Sequence, residues 1–120
     1  FWSCAEQVHA DVQAALREAL PGALVLCHIS HVYETGCSLY FTVATKETAD
    51  PLPQWLAAKA AASDAIVAAG ATITHHHAVG TDHAPYMEAE VGGLGVEALR
   101  AIKDRLDPAG IMNPGKLLPG

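Results

Sequence analysis

Two strand-like runs joined by a turn signal constrain the fold of this 120-residue chain more than any other feature. One run covers residues 23–33 and the other covers residues 37–44, with Glu34-Thr35-Gly36 between them. Runs of this length that are rich in β-branched and aromatic residues are typical of strands, and a polar connection containing glycine is typical of a tight turn. The pattern therefore predicts an antiparallel hairpin.

Helical periodicity flanks the hairpin. Apolar residues recur every three to four positions between residues 4 and 20, ahead of Pro21-Gly22, and an alanine-rich segment at 54–69 ends at Gly70. The inward positions predicted for the first helix are Val8, Val12, Ala15, Leu16 and Ala19. Those predicted for the second helix are Leu56, Ala60, Ser63 and Val67.

The rest of the chain adds a short strand and a last helix. Residues 71–74 are predicted to form a third strand, and residues 95–106 a helix with inward positions Val96, Leu99, Ile102 and Leu106. This order predicts an α+β fold: a small, mainly antiparallel sheet with helices packed on one face, in one domain over residues 1–120. Because the sheet is small for its helices, we expect strands from outside the chain to complete it.

Composition excludes several classes of function. The formal net charge of −6 argues against binding to nucleic acid and to an anionic membrane surface, both of which require a basic face. No apolar run approaches the roughly 20 residues of a membrane-spanning helix. The three cysteines form no CxxC pair, so we expect reduced thiols and a cytoplasmic location.

Three consecutive histidines, His75, His76 and His77, are the strongest functional signal. Each imidazole brings two ring nitrogens that need partners when buried, so a cluster of three is unfavourable in a core. Imidazoles titrate near neutral pH and both donate and accept protons, which favours acid/base work on a bound substrate. Because consecutive side chains of an extended segment alternate, we expect His75 and His77 on one side and His76 on the other.

A metal site is the alternative interpretation of the same histidines. Three neutral imidazoles with an open position are typical of catalytic zinc. Two ligands would be His75 and His77, and the third would come from His28, His31 or His83. His28 and His31 are three apart on the predicted strand, so they lie on opposite faces unless a bulge intervenes. A free-standing metal- or ligand-binding module therefore stays open at this point.

Two longer motifs resemble a known family. The histidine-bearing segment 70–80 and the terminal segment 107–117, Asp-Pro-Ala-Gly-Ile-Met-Asn-Pro-Gly-Lys-Leu, are similar to the C-terminal end of FAD-linked oxidases of the vanillyl-alcohol oxidase superfamily. Within that superfamily, the triple histidine and the hairpin segment 33–41 resemble the alkylglycerone-phosphate synthase branch.

The resemblance implies a cofactor, a partner domain and roles for individual residues. A separate N-terminal domain would hold most of the FAD, and this chain would be the last part of the cap domain that covers the flavin ring, inactive by itself. Tyr40 matches a tyrosine proposed as an acid/base residue in the synthase branch, and His75, His76 and His77 match a motif near the reactive edge of the flavin. The residues implied to contact the cofactor are His76, His77 and Asn113.

The resemblance leaves two chemistries and one question of assembly open. An oxidoreductase would move a hydride from a small-molecule substrate to FAD, whereas the synthase branch transfers an alkyl group without net redox change. The His-x-Gly-Asp-Gly-Asn-x-His motif of the metal-dependent members is absent, so no metal ligand is expected. A sheet edge without a neighbouring strand would favour a homodimer of the chain.

Overall fold

The computed structural model describes residues 1–119. The chain folds into two compact units. The first unit is Phe1–Ala71, and the second begins at Thr72. The first contains helix α1 (Trp2–Ala19), strands β1 (Leu24–Val32) and β2 (Cys37–Ala44), and helix α2 (Pro51–Ala68). The second contains a single 3-10 turn (Ala84–Tyr86) and helix α3 (Met87–Leu106) among the described residues.

The predicted hairpin is confirmed. Strand β1 pairs with β2 in antiparallel register, and the amide of Tyr33 donates to the carbonyl oxygen of Gly36, 2.8 Å away, across the turn. A Cβ atom at Gly36 would lie 3.1 Å from the Cα atom of Phe1. The turn therefore packs against the start of α1, and this close approach favours glycine at the position.

The core of the first unit lies between α1, the hairpin and α2. Helix α1 contributes a buried stripe, as its periodicity predicts, and the inward side chains of the hairpin and of α2 pack against that stripe. The buried members are Val8, Val12, Leu16, Leu20, Val25 and Ala58. Leu39, Phe41 and Val43 of β2 pack against this cluster from one face of the sheet. The predicted α+β architecture, with helices on one face of an antiparallel sheet, is confirmed for this unit.

Helix α2 differs from its prediction in both its start and its buried face. It begins at Pro51, because proline is tolerated in the first turn of a helix, where its missing N–H is not needed. The predicted inward residues Leu56 and Ala60 are exposed. The residues that pack against the core are Ala58, Ala62, Ala65, Ile66 and Ala69. Because apolar residues surround this helix on all sides, periodicity alone does not select the buried face.

The predicted third strand at residues 71–74 is wrong. Helix α2 ends in a Schellman motif: Gly70 has a φ of 69°, its amide donates to Val67, and the amide of Ala71 donates to Ile66 at 3.0 Å. The next buried residue, Ile73, donates its amide to the side chain of Glu90 rather than to a strand. Within residues 1–119 the sheet has the two strands of the hairpin.

Helix α3 starts earlier than residue 95, and it contains a break. Gly92 has a φ of 75° and a ψ of 162°, so two helical stretches meet at this residue. Val96 is buried, as predicted, whereas the predicted inward residues Ile102 and Leu106 are exposed. Among the helices of the described residues, none has the length and apolar character needed to cross a membrane. The assignment of residues 1–120 to one cap domain stays a prediction.

Candidate functional site

The three histidines lie in a closed loop of the second unit. The hydroxyl of Thr74 donates to the carbonyl oxygen of Ala78 at 3.0 Å, and this bond closes residues 74–78 into a turn that we call the histidine loop. Ala78 has a φ of 62°, in the left-handed region that turns the chain back. The histidines therefore occupy a bent segment and not the end of a strand.

The imidazoles of the histidine loop are exposed, and two of them are in contact. The ring centroids of His75 and His76 are 3.7 Å apart, with an angle of 47° between the ring planes. The expected alternation, with His76 turned away from His75, is wrong because it assumed an extended backbone. Neighbouring imidazoles on one side of a loop can present several N–H donors and ring-nitrogen acceptors to the same ligand.

Hydrogen bonds hold the chain on both sides of the histidine loop. Before it, Ile73 is 5% exposed, and its amide donates to Oε2 of Glu90 on α3 at 3.2 Å. After it, the carbonyl oxygen of Gly80 accepts a hydrogen bond from the amide of Leu117 at 3.0 Å. The loop is therefore attached to a helix at one end and to the C-terminal segment at the other.

The C-terminal segment is organised by Asp107, at the end of α3. Its carboxylate accepts hydrogen bonds from the amides of Ile111, at 3.1 Å, and Met112, at 2.9 Å, and it forms an ion pair with Lys103. The hydrogen bond from Lys103, followed by the one from Met112, holds the pKa of this carboxyl below its ordinary value. Asp107 is thus a structural anchor for the terminal motif, a role that the sequence analysis did not assign.

Asn113 lies in the same segment and is exposed. Its φ of 46° is left-handed, which asparagine tolerates better than most residues, and its carbonyl oxygen accepts a hydrogen bond from the amide of Lys116 at 3.3 Å. The backbone role of Asn113 is to turn the chain. Its contact with a cofactor stays a prediction.

Tyr40 belongs to the first unit, on the face of the hairpin that points away from the core. It is 45% exposed, between Leu39 and Phe41, which pack inward. Its directly opposite residue is His28, and the two ring centroids are 5.2 Å apart with a tilt of 36°. The phenol ring therefore lies on the face of the hairpin opposite the core, against the ring of His28.

A β-bulge brings a second histidine to the face that carries Tyr40. The register shifts between Ile29 and His31, so that Ser30 is the extra residue and His31 lies opposite Ser38. Ser38 and Tyr40 are two apart on β2 and share a face, so His28 and His31 share it as well. The hydroxyl of Ser30 donates to that of Ser38 at 3.2 Å. Two histidines expected on opposite faces are therefore neighbours.

Among the cysteines, Cys27 does not offer a reactive thiol. All three are free, as the sequence predicted. Burial, and to a smaller extent the neighbouring Cys37, raises the pKa of the Cys27 thiol. A raised pKa keeps the thiol protonated near neutral pH, and a protonated thiol is a poor nucleophile. The exposed side chains that could exchange protons with a ligand are those of the histidine loop in one unit, and Tyr40 with its neighbouring histidines in the other.

Comparison with known proteins places this arrangement in a family context. The family model described as FAD linked oxidases, C-terminal domain, matches residues 2–117. An alkyldihydroxyacetonephosphate synthase of Trypanosoma brucei brucei is 36% identical over 119 residues, which is 98% of this chain and 19% of that protein. The Dictyostelium discoideum protein of the same name is 37% identical over 98 residues, 81% of this chain and 16% of that protein.

A third relative has a different name and a shorter match. A mitochondrial D-lactate dehydrogenase [cytochrome] of Arabidopsis thaliana is 48% identical over 48 residues, 40% of this chain and 8% of that protein. This chain spans less than a fifth of the length of each of these three relatives.

Proposed function

Because this chain belongs to the family of FAD-linked oxidase C-terminal domains, we propose that it covers the flavin ring of a longer FAD-dependent oxidoreductase. In this proposal it supplies substrate-side acid/base residues: Tyr40 from the first unit, and His75, His76 and His77 from the second. The observation that carries the proposal is the exposed, hydrogen-bonded histidine loop, whose bond from Thr74 to Ala78 fixes three imidazoles on the surface.

The side chains of the histidine loop fit the proposed cofactor chemically. A flavin ring presents carbonyl oxygens and ring nitrogens, and exposed imidazoles offer N–H donors for such acceptors. Fixed donors next to a redox ring tune its electronics and orient the substrate, which is the contribution that a protein makes to cofactor chemistry. His76, His77 and Asn113 are the residues proposed to contact the cofactor.

The proposed work of this chain is proton transfer. FAD, when bound, supplies a two-electron acceptor for a hydride. The hydroxyl proton of a hydroxy-acid substrate is taken by a histidine ring nitrogen or by Tyr40, and the exposed position of these groups leaves them open to a bound substrate. The second imidazole of the His75–His76 contact orients the first by restricting how its ring turns.

A second candidate function, non-redox alkyl transfer, is supported by the length of the matches. The two relatives named alkyldihydroxyacetonephosphate synthase align over 98% and 81% of this chain, whereas the D-lactate dehydrogenase aligns over 40%. Tyr40 and the histidines would serve the same acid/base roles in that reaction. The substrate would then be an acylated dihydroxyacetone phosphate with a long-chain alcohol in place of a hydroxy acid.

The direct test is an absorption spectrum of the longer protein, expressed with its upstream coding sequence restored and then purified. Yellow protein with the visible bands of oxidised flavin supports the cap-domain assignment and the expected N-terminal FAD-binding domain. A folded, colourless protein contradicts it. If such a colourless protein contained stoichiometric zinc as purified, and again after the zinc had been removed by chelation and then reloaded, the histidines would be assigned to metal binding instead.

Two assays on the same preparation separate the candidates. Loss of the flavin bands under anaerobic conditions on addition of D-lactate or glycolate supports the oxidoreductase. Release of fatty acid from acylated dihydroxyacetone phosphate in the presence of hexadecanol, with the flavin bands retained at the end, supports the synthase.

Light scattering tests the proposed homodimer. Localisation by microscopy tests the cytoplasmic prediction, since the relative from Arabidopsis thaliana is named as mitochondrial.

A further inference from the structure

His28 is the ring that packs on Tyr40. The two are direct cross-strand partners in the hairpin register, and their ring centroids are 5.2 Å apart with a 36° tilt. Directly opposite side chains on one face of an antiparallel pair have their Cβ atoms about 5 Å apart, close enough for two rings to restrain each other. The contact is therefore built into the register of the strands.

On its face of the sheet, the neighbours of Tyr40 along its own strand are small. Along β2 they are Ser38 and Thr42, which cannot stack on a phenol ring. The hydroxyl of Ser38 accepts a hydrogen bond from Ser30 at 3.2 Å, which orients Ser38 toward the bulge. Tyr40 is 45% exposed. His28 is the residue directly opposite Tyr40, and the contact between the two rings restricts rotation of the Tyr40 side chain.

We propose that His28 is a positioning residue for Tyr40, holding the phenol ring in the orientation in which its hydroxyl exchanges a proton with substrate. This inference rests on the proposed acid/base role of Tyr40 and gives His28 a role that neither the sequence pattern nor the relatives assign. The bulge at Ser30 is compatible with this arrangement, because the register shift lies between His28 and the turn and leaves His28 opposite Tyr40.

Four single variants of the full-length flavoprotein, and the double variant that combines His28→Ala with Tyr40→Phe, test the proposal. His28→Ala removes the ring, His28→Phe keeps a ring without the nitrogens, and Tyr40→Phe removes the hydroxyl. Leu24→Ala is the matched control: it truncates an exposed side chain on the same face of β1, four residues from His28. Rates are measured with D-lactate and with acylated dihydroxyacetone phosphate plus hexadecanol, using whichever the wild-type protein turns over.

His28→Ala is expected to lower kcat about 10-fold with KM unchanged, because a misplaced catalytic group costs turnover more than binding. His28→Phe should restore kcat to within about twofold of wild type, since a ring-on-ring contact does not need the imidazole nitrogens. In a Tyr40→Phe background, His28→Ala should have no further effect on kcat. A crystal structure of His28→Ala should show the Tyr40 side chain in a changed or mixed rotamer, with thermal midpoints equal to wild type.

The outcomes separate the two proposals. If Tyr40→Phe leaves kcat at the wild-type value, the acid/base role of Tyr40 fails, and the positioning role of His28 fails with it. If Tyr40→Phe lowers kcat but His28→Ala matches Leu24→Ala, the acid/base role survives and the positioning role is overturned. The positioning role is also overturned if His28→Ala lowers kcat by the same factor in the wild-type protein and in the Tyr40→Phe variant, because the effect then does not depend on the Tyr40 hydroxyl.

Discussion

The amide of Leu117 donates a hydrogen bond to the carbonyl oxygen of Gly80, 3.0 Å away. Gly80 is the second residue after the histidine loop, and Leu117 follows the Asn-Pro-Gly-Lys sequence of the terminal motif. The two motifs that carry the family resemblance are therefore connected by a main-chain bond.

The histidine loop gives the first prediction. His76→Asn in the full-length flavoprotein should lower kcat at least about 100-fold, the usual loss when an acid/base group is removed. Flavin content should stay near the wild-type value because most of the FAD is expected to be held by the N-terminal domain, and the thermal midpoint should not change because His76 is exposed. His9→Asn is the matched control, since His9 stacks on Phe41 and lies outside the proposed site. Wild-type turnover in His76→Asn would contradict the proposed function.

The bond that closes the histidine loop gives the second prediction. Thr74→Val keeps the shape of the side chain but removes the hydroxyl that donates to Ala78. We expect kcat to fall about 10-fold, because a loosened loop spreads the imidazoles over several orientations. Thr74→Ser should recover most of the rate, and Thr72→Val, an exposed threonine nearby, should have no effect. Equal rates for Thr74→Val and Thr72→Val would show that the bond is dispensable.

Asp107 gives a prediction about pH. Its pKa is lowered in the folded protein, so the stabilisation is fully present above the ordinary value of 3.8 and is lost as the pH falls through the lowered value. Amide exchange of Ile111 and Met112, followed by mass spectrometry, should be slow at neutral pH and should accelerate at acidic pH relative to the intrinsic rate. Asp107→Asn should lose protection at neutral pH and show little further change on acidification. Protection that persists in the variant at neutral pH would contradict the anchoring role.

The core of the first unit gives a prediction about stability. Val12 is 1% exposed, and Val12→Ala removes two methyl groups at a position surrounded by the core cluster. The free energy of unfolding of this unit should fall by about 2 kcal/mol, the scale for deleting buried methyl groups. Val32→Ala removes the same atoms at a position that is 70% exposed, and it should cost under about 0.5 kcal/mol. Chemical denaturation of both variants measures the difference, and equal costs would refute the burial assignment.

The sequence predicts most of the first unit because local patterns and packing agree there. The buried stripe on α1 is the one that its periodicity predicts, and the two predicted runs are the strands that pair in the hairpin. Helix α2 shows the limit: its alanine-rich surface is apolar all round, so the buried side depends on which neighbours are present. The third strand at 71–74 fails for a related reason, because a strand requires a partner and Ile73 donates its amide to the Glu90 side chain.

For the candidate site, the choice of residues stays a prediction, whereas the geometry expected for the histidines differs from the structure. The histidines and Tyr40 are exposed, and the contact between His75 and His76 follows from a bend that alternation cannot describe. The hydroxyl of Thr74 and the left-handed φ of Ala78 produce that bend. The roles of Asp107 and His28 depend on register and on hydrogen bonds between residues that no short motif connects.

The extra residue at Ser30 has a consequence for aligning related sequences. Strand β1 has nine residues and β2 has eight, and the difference lies inside β1 and not in the turn. Suppose that a homologue is one residue shorter in this region and is aligned with a gap at the glycine turn. Every position between the bulge and the turn would then be assigned to the wrong face of the sheet. Placing the gap at residue 30 keeps the outward and inward positions of both strands equivalent, so comparisons of residue 31 across the family are meaningful only with that placement.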